Sequence, residues 1–222
     1  MAMQATDQHT MSSNDATIYV VDDDDSVRRS LKRLLRARGW NVEVFASATD
    51  ILKHAPLAGA GCILLDVQMP GINGLELQER LTEEGIGLPL VFLSGKGSIP
   101  MSVLAMKHGA VDFLVKPVPE EALFQALEQA IRRNQTEASL RNRRESVLAR
   151  LARLSERERD VLEQVLRGRL NKQIAYDLGI AEKTVKVHRG RVMEKMEADS
   201  LAELVHMCDE AGIEFSKTPI DY

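Results

Sequence analysis

Acidic side chains follow two short apolar runs in the first half of the chain. Asp22 and Asp23 come directly after TIYVV, and Asp66 comes directly after CILL. If both runs are strands of one parallel sheet, these carboxylates converge at one sheet edge. Clustered carboxylate oxygens suit Mg2+, with Mn2+ as an alternative ion. Without a cation the three carboxylates would repel one another and raise one another's pKa.

A hydroxyl and an ammonium follow two later apolar runs, at Ser94 and Lys116. These groups suit a phosphoryl group on Asp66: the carboxylate attacks phosphorus, Ser94 donates a hydrogen bond and Lys116 pairs with a phosphoryl oxygen. An aspartate after a strand is ordinarily a turn former or a helix cap. The combination at successive strand ends is what predicts an aspartyl phosphate.

The elements that position these residues are five repeats of a short apolar strand followed by an amphipathic helix. The predicted strands are residues 17–21, 42–45, 62–65, 90–93 and 111–115. This alternation predicts an α/β fold whose parallel sheet is covered by helices on both faces. Ligands of such folds bind outside the carboxyl ends of the strands.

The second half of the chain has helical periodicity only. Ser155 and Glu158 match a capping box, and two helical segments, residues 172–178 and 181–196, flank a turn at Gly179. Two helices joined by a turn containing glycine are a helix-turn-helix candidate.

Charge is unevenly distributed along a chain whose net charge is -4. Residues 1–140 hold about 13 basic and 18 acidic side chains, whereas residues 167–195 hold about 8 basic and 3 acidic ones. In the second predicted helix Val185, Val192 and Met196 share an apolar face suited to a core. The opposite, basic face can follow the phosphates of DNA.

The predicted boundaries are a disordered tail over residues 1–16, a first domain over 17–133, a linker helix over 134–153 and a second domain over 154–215. A coiled coil in the linker is disfavoured, because its best register places Asn134, Arg141 and Glu145 on the seam.

Two widely separated cysteines, the lack of a secretory signal and the lack of a run of roughly 20 apolar residues favour a cytoplasmic protein without a membrane partner.

Three motifs resemble response-regulator receiver domains: VVDDD at residues 20–24, LLDVQMPGING at 64–74 and VKP at 115–117. The resemblance implies a doubly wound, flavodoxin-like five-stranded sheet of order 2-1-3-4-5. It also implies a sensor histidine kinase as partner and a cis Lys116–Pro117 bond.

The same resemblance assigns roles to individual residues. Asp66 becomes the phosphoacceptor, and Ser94 and Phe113 take the switch positions. The implied Mg2+ ligands are Asp22, Asp23, Asp66 and the backbone carbonyl of Gln68.

Three further motifs resemble the LuxR-type DNA-binding domain: LSERE at residues 154–158, NKQIA at 171–175 and TVKVHR at 184–189. Together the two resemblances identify the chain as a member of the FixJ-like branch. They imply an all-α, four-helix module that binds double-stranded promoter DNA, a homodimer on phosphorylation, and RNA polymerase as a further partner.

By this resemblance Lys186 and Val187 contact bases, and a second set of residues contacts phosphates. The phosphate-binding set is Lys172, Thr184, His188 and Arg189, with Arg191 supplying flanking charge. Gly190 departs from several relatives, which place a basic or polar side chain there.

Three alternatives stay open on the residues alone. The second domain could bind a protein instead of DNA, and the protein could be a constitutive dimer that does not use phosphorylation. An enzyme that acts on external substrates through the acidic pocket is disfavoured, since no ATP-binding glycine loop or substrate motif accompanies it.

Overall fold

The structure is a computed structural model that describes residues 16–54, 56, 57, 59–95 and 99–213. Nearly all of the predicted disordered tail and the last two residues of the predicted second domain lie outside these ranges. Ala16, the last residue assigned to the tail, is described and is buried. The chain divides into two compact units, residues 1–138 and 139–222.

The first unit contains a five-stranded parallel sheet of order β2-β1-β3-β4-β5. Its strands are β1 (Thr17–Val21), β2 (Asn41–Phe45), β3 (Gly61–Asp66), β4 (Leu90–Ser94) and β5 (Asp112–Val115). The predicted fold and strand order are therefore confirmed. The strands alternate with helices α1 (Asp25–Ala37), α2 (Ala48–His54), α3 (Gly74–Glu83), α4 (Ile99–Lys107) and α5 (Glu120–Ala152).

Side chains of each strand alternate between two cores, one on each sheet face. Ile18 and Val20 pack with Leu127 of α5 in one core, whereas Tyr19 and Val21 belong to the other. Every residue of β3 is buried. A central strand of a parallel sheet is apolar along its length because both faces are covered.

The second unit is helical. Its helices α6 (Glu156–Leu166), α7 (Asn171–Leu178), α8 (Glu182–Met196) and α9 (Leu201–Glu210) enclose one core. Val185, Val192 and Met196 of α8 are all buried there, which confirms the predicted core face. Gly179 ends α7 with a φ of 64°, a left-handed conformation that glycine adopts without a steric penalty.

Helix α5 is a single helix of 33 residues whose two ends belong to different units. Asn134 is buried in the first unit, where its Oδ1 accepts a hydrogen bond from the backbone N–H of Gly61 at 3.1 Å. Val147 is buried in the core of the second unit. No helix in the described part of the chain has the length and apolarity needed to cross a membrane.

Candidate functional site

The register of the sheet places the predicted site residues at one edge. Val21 of β1 is paired with Leu65 of β3, so that Asp22 and Asp66 follow neighbouring positions. Ser94, the last residue of β4, is paired with Val115 of β5, which precedes Lys116. The parallel strands thus bring four predicted residues to their carboxyl ends, where ligands of this fold class bind.

Lys116 joins the two buried carboxylates at this edge. Its Nζ donates hydrogen bonds to Asp22 Oδ2 at 2.7 Å and to Asp66 Oδ1 at 2.6 Å. The aspartate side chains are only 2% and 6% exposed, whereas that of Lys116 is 27% exposed. A cation between two shielded carboxylates offsets the repulsion that they would otherwise exert on each other.

Burial and ion pairing have opposite effects on the pKa values of Asp66 and Lys116. Burial raises the pKa of Asp66 above its usual value, although the hydrogen bond from Lys116 acts in the opposite direction. Burial would lower the pKa of the Lys116 ammonium, but its hydrogen bonds to Asp22 and Asp66 outweigh that effect, and its pKa is raised. Lys116 is therefore a permanent positive charge beside the Asp66 carboxylate at neutral pH.

The segment after β3 fixes the second oxygen of Asp66. The backbone N–H of Gln68 donates to Asp66 Oδ2 at 2.6 Å. Gly74, at the start of α3, lies against the same backbone: a Cβ there would be 2.5 Å from the carbonyl oxygen of Asp66. Only a residue without a side chain permits this approach of α3 to the site. Close packing thus explains Gly74, the last residue of the LLDVQMPGING motif.

The two predicted switch residues lie on adjacent strands. Ser94 is fully buried, and Phe113 is half-buried with its ring 6.1 Å from the ring of Phe92. The peptide bond between Lys116 and Pro117 is cis, as the resemblance to receivers implies.

Asp23 differs from the other two acids because it is exposed. Within the described residues no three His, Cys, Asp or Glu side chains are close enough together to hold a metal ion. The structure therefore brings together Asp22, Asp66 and Lys116, and it leaves Asp23 at the rim of the same edge.

The predicted DNA-contacting residues in the helix-turn-helix of the second unit differ in their exposure. Lys172, Thr184, Lys186 and Arg191 are exposed, and Val187 is exposed to 48% although it is apolar. The N-cap residues of α7 and α8 are Leu170 and Ala181, and neither makes a side-chain capping hydrogen bond. Their first backbone N–H groups are therefore not occupied by a capping side chain.

Two basic side chains of α8 are held by the protein itself. Arg189 Nη1 donates to Asn171 Oδ1 at 2.6 Å, which ties α8 to the first turn of α7. Lys195, near the end of the same helix, has its Nζ 2.5 Å from Glu158 Oε2 and also donates to the carbonyl of Arg153. Sequence reasoning missed both pairings, because each joins residues that are distant along the chain.

A parallel sheet with an acidic, lysine-paired edge, followed by a basic helix-turn-helix, defines the class of two-domain response regulators. Comparison with known families agrees. The response regulator receiver domain family matches residues 18–128, and the luxR family of bacterial regulatory proteins matches residues 152–208.

Individual relatives are similar over most of the chain. Nodulation protein W of Bradyrhizobium diazoefficiens is 42% identical over 95% of this chain and 92% of its own length. Transcriptional regulatory protein FixJ of Azorhizobium caulinodans is 44% identical over 88% of this chain and 93% of its own. Among solved structures, the response regulator StyR has a TM-score of 0.81 and 46% identity, over 88% of this chain and 99% of StyR.

The chain belongs to the response regulators that combine a receiver with a LuxR-type DNA-binding domain, and it is a phosphorylation-dependent transcriptional regulator.

Proposed function

We propose that Asp66 is the residue that accepts the phosphoryl group, from a sensor histidine kinase. The observation that carries the proposal is the position of Asp66: a shielded carboxylate at the carboxyl edge of the sheet, 2.6 Å from the Lys116 ammonium. The Asp66 oxygen attacks phosphorus, the bond from phosphorus to the donor breaks, and the leaving group keeps that electron pair. Lys116 then stabilises negative charge on the phosphoryl oxygens.

The donor groups at this edge suit Mg2+ by their chemistry, and receiver domains as a family bind Mg2+ at the phosphorylation site. They are hard oxygens: the carboxylates of Asp22, Asp23 and Asp66 and the main-chain carbonyl of Gln68. Mn2+ takes the same kind of ligand. When bound, the ion neutralises charge that develops on the transferring oxygens. The residues of the chain hold and orient the acceptor, and Lys116 supplies the protein's own positive charge.

Ser94 and Phe113 convert the phosphorylation into a change of shape. A phosphoryl group adds roughly -1.5 to -2 charge at neutral pH. The Ser94 hydroxyl donates to it, and the Phe113 ring turns inward beside the hydroxyl. The surface of α4 and β5 thereby changes, and two copies associate through it. Ile99 and Val115, which are 81% and 53% exposed, make this surface apolar and support the proposal.

In the second domain, Lys186 and Val187 face the bases of promoter DNA in the major groove. Lys186 donates to guanine O6 or N7, and a methyl group of Val187 touches a thymine methyl. Lys172, Thr184, His188, Arg189 and Arg191 contact phosphates. The uncapped N-termini of α7 and α8 add backbone N–H donors to this set.

The proposed division of labour follows the predicted boundaries: a receiver over residues 17–133, a linker helix over 134–153 and a DNA-binding domain over 154–215. The phosphorylated dimer places two α8 helices on half-sites about one turn of DNA apart, and it contacts RNA polymerase at the promoter.

The acceptor assignment is tested by incubating the full chain with acetyl phosphate and Mg2+ and measuring its intact mass. The wild-type protein is expected to gain one phosphate, and Asp66→Asn to gain none. Asp50→Asn, which changes an exposed aspartate of α2, is the matched control and keeps the gain. Phosphate on Asp66→Asn would overturn the assignment.

A further inference from the structure

Arg28 of α1 is bonded to the loop that carries the acidic pair. Its Nη1 donates to the backbone carbonyls of Asp22 at 2.7 Å and Asp23 at 2.8 Å. Its Nη2 donates to Asp25 Oδ1 at 3.1 Å. The Arg28 side chain is only 14% exposed. One guanidinium thus holds the main chain on both residues proposed as metal ligands.

Arg28 lies at a position in α1 where a positive charge is energetically unfavourable unless other contacts stabilise it. Arg28 is the fourth residue of α1, and a positive charge in the first turn of a helix is disfavoured by the helix dipole. Asp24 already caps this helix through the N–H groups of Ser26 and Val27. The contacts of Arg28 with the two carbonyls therefore serve the loop and are not needed to begin the helix.

The neighbouring arginine provides an internal comparison. Arg29 has the same charge and contacts the same acid, Asp25, at 3.1 Å, but its side chain is 75% exposed. Its described ion pair is with that carboxylate alone. A pair so exposed contributes little. Substituting each arginine in turn therefore distinguishes the effect of a positive charge near the loop from the effect of hydrogen bonds to the loop carbonyls.

We infer that Arg28 is a positioning residue of the metal site, which holds the backbone of Asp22 and Asp23 so that their carboxylates are oriented before the ion arrives. The inference rests on the proposed function, since it takes these acids as metal ligands. Fixed carbonyls set the backbone dihedral angles from which both side chains project. Without them the backbone of residues 22 and 23 would become ordered only on metal binding, and the affinity for Mg2+ would fall.

The test measures Mg2+ affinity of the full chain by titration calorimetry, without a phosphoryl donor. Loss of a group that orients metal ligands typically weakens metal binding by about 10- to 100-fold. We expect that loss for Arg28→Met. Arg28→Lys is expected to stay weak as well, because an ammonium cannot reproduce the planar fork of a guanidinium. Arg29→Met is expected to stay within about twofold of the wild type.

Each outcome separates the inference from the proposed function. Wild-type affinity in Arg28→Met, full recovery in Arg28→Lys, or an equal loss in Arg29→Met would overturn the inference. Asp23→Asn serves as the second arm: if the wild type binds no Mg2+, or Asp23→Asn binds it equally well, the proposed metal site fails instead. If Arg28→Met does not fold, as judged by the fluorescence of Trp40, Arg28→Lys decides the question.

Discussion

Lys116 carries its charge between two carboxylates that are almost completely shielded from water. Asp22 follows β1 and Asp66 ends the adjacent strand β3, so the contacts of Lys116 also link two neighbouring strand ends. Removing one member of such a buried group leaves the others without compensation. We therefore expect Lys116 to act both on the structure of the edge and on the chemistry at Asp66.

Lys116→Met is expected to slow phosphate incorporation from acetyl phosphate by on the order of tenfold or more, because the charge that stabilises the transferring oxygens is lost. Intact-mass measurements over time give the initial rate. Lys53→Met, which changes an exposed lysine of α2, is the control and should react at the wild-type rate. Equal rates for the two variants would remove Lys116 from the reaction.

Gly74→Ala is expected to destabilise the first unit by about 1 to 3 kcal/mol, since the new Cβ would lie 2.5 Å from the Asp66 carbonyl oxygen. Urea unfolding followed by Trp40, the only tryptophan of the chain, reports on this unit. Gly95→Ala is the matched control, because a Cβ at that position meets no atom of the described residues within 4 Å. Equal stability of the two variants would contradict the proposed close approach.

Several site residues were predictable from the sequence because each follows an apolar strand. The positions of Asp22, Asp66, Ser94 and Lys116 needed only the rule that parallel strands end at one edge. Arg28 was not predictable, since its partners are backbone carbonyls that no side-chain pattern reveals. The one signal was a basic residue in the first turn of a helix, where acidic residues are preferred.

At the scale of elements, an ion pair joins the beginning of α6 to the end of α8. Glu158 caps α6 together with Ser155, and its Oε2 also accepts a hydrogen bond from Lys195 at 2.5 Å. The Glu158 side chain is 3% exposed. The hydrogen bonds from Lys195 and from the backbone of Ser155 lower the pKa of Glu158 to about 2. The helix proposed to contact DNA is thereby tied to the helix that opens the domain.

This pair predicts a pH dependence of stability. A lowered pKa means that the folded state favours the ionised carboxylate, so the stabilisation is complete above the ordinary pKa of 4.5 and is lost as the pH falls towards 2. Glu158→Gln is expected to cost on the order of 2 kcal/mol at neutral pH, and its stability should depend less on pH between 5 and 3.

Urea unfolding of the full chain, followed by far-ultraviolet circular dichroism, measures this effect, and Trp40 fluorescence reports the first unit separately. The matched control is Glu163→Gln on the same helix, which breaks a pair with Arg167, the residue that follows the helix; the two side chains are 30% and 27% exposed. That pair is worth at most about 1 kcal/mol. If both variants show the same pH dependence, Glu158 is not the group responsible.

The α8 helix gives a prediction of its own. Lys186→Ala is expected to weaken binding to the preferred DNA by about 1 to 3 kcal/mol and to relax the preference at one base pair. Lys172→Ala should weaken binding to all sequences alike, because phosphates carry no sequence information. Titrations against selected and random duplexes at several salt concentrations distinguish them. Equal losses on both duplexes for Lys186→Ala would exclude it from base reading.

Elements were more predictable than their connections. Strand β3 and the core face of α8 follow from hydrophobic periodicity alone. The length of α5 could not be predicted from this periodicity, because residues 134–153 carry only a sparse apolar stripe. Asn134 was placed on a hypothetical coiled-coil seam, whereas the structure buries it against the backbone of Gly61. A polar residue with a distant backbone partner has no sequence signature.

On the scale of the whole molecule, the first unit has an excess of acidic side chains, whereas a locally basic segment lies in the second unit. The net charge of -4 hides a basic segment over residues 167–195, which belongs to the helix-turn-helix. Two units with separate cores allow the receiver to be chemically altered while the DNA-binding unit stays folded. We therefore expect phosphorylation to act through a change in association or in accessibility, and both would appear as a change in DNA affinity.

The most direct test of the central claim is the affinity of the full chain for DNA fragments that it selects from a random pool, with and without acetyl phosphate and Mg2+. Coupling between two sites of this kind is typically about 5- to 150-fold. We expect a gain in that range for the wild type, and unchanged affinity for Asp66→Asn. Unchanged affinity of the wild type after stoichiometric phosphorylation, or an equal gain in Asp66→Asn, would contradict control of DNA binding through Asp66.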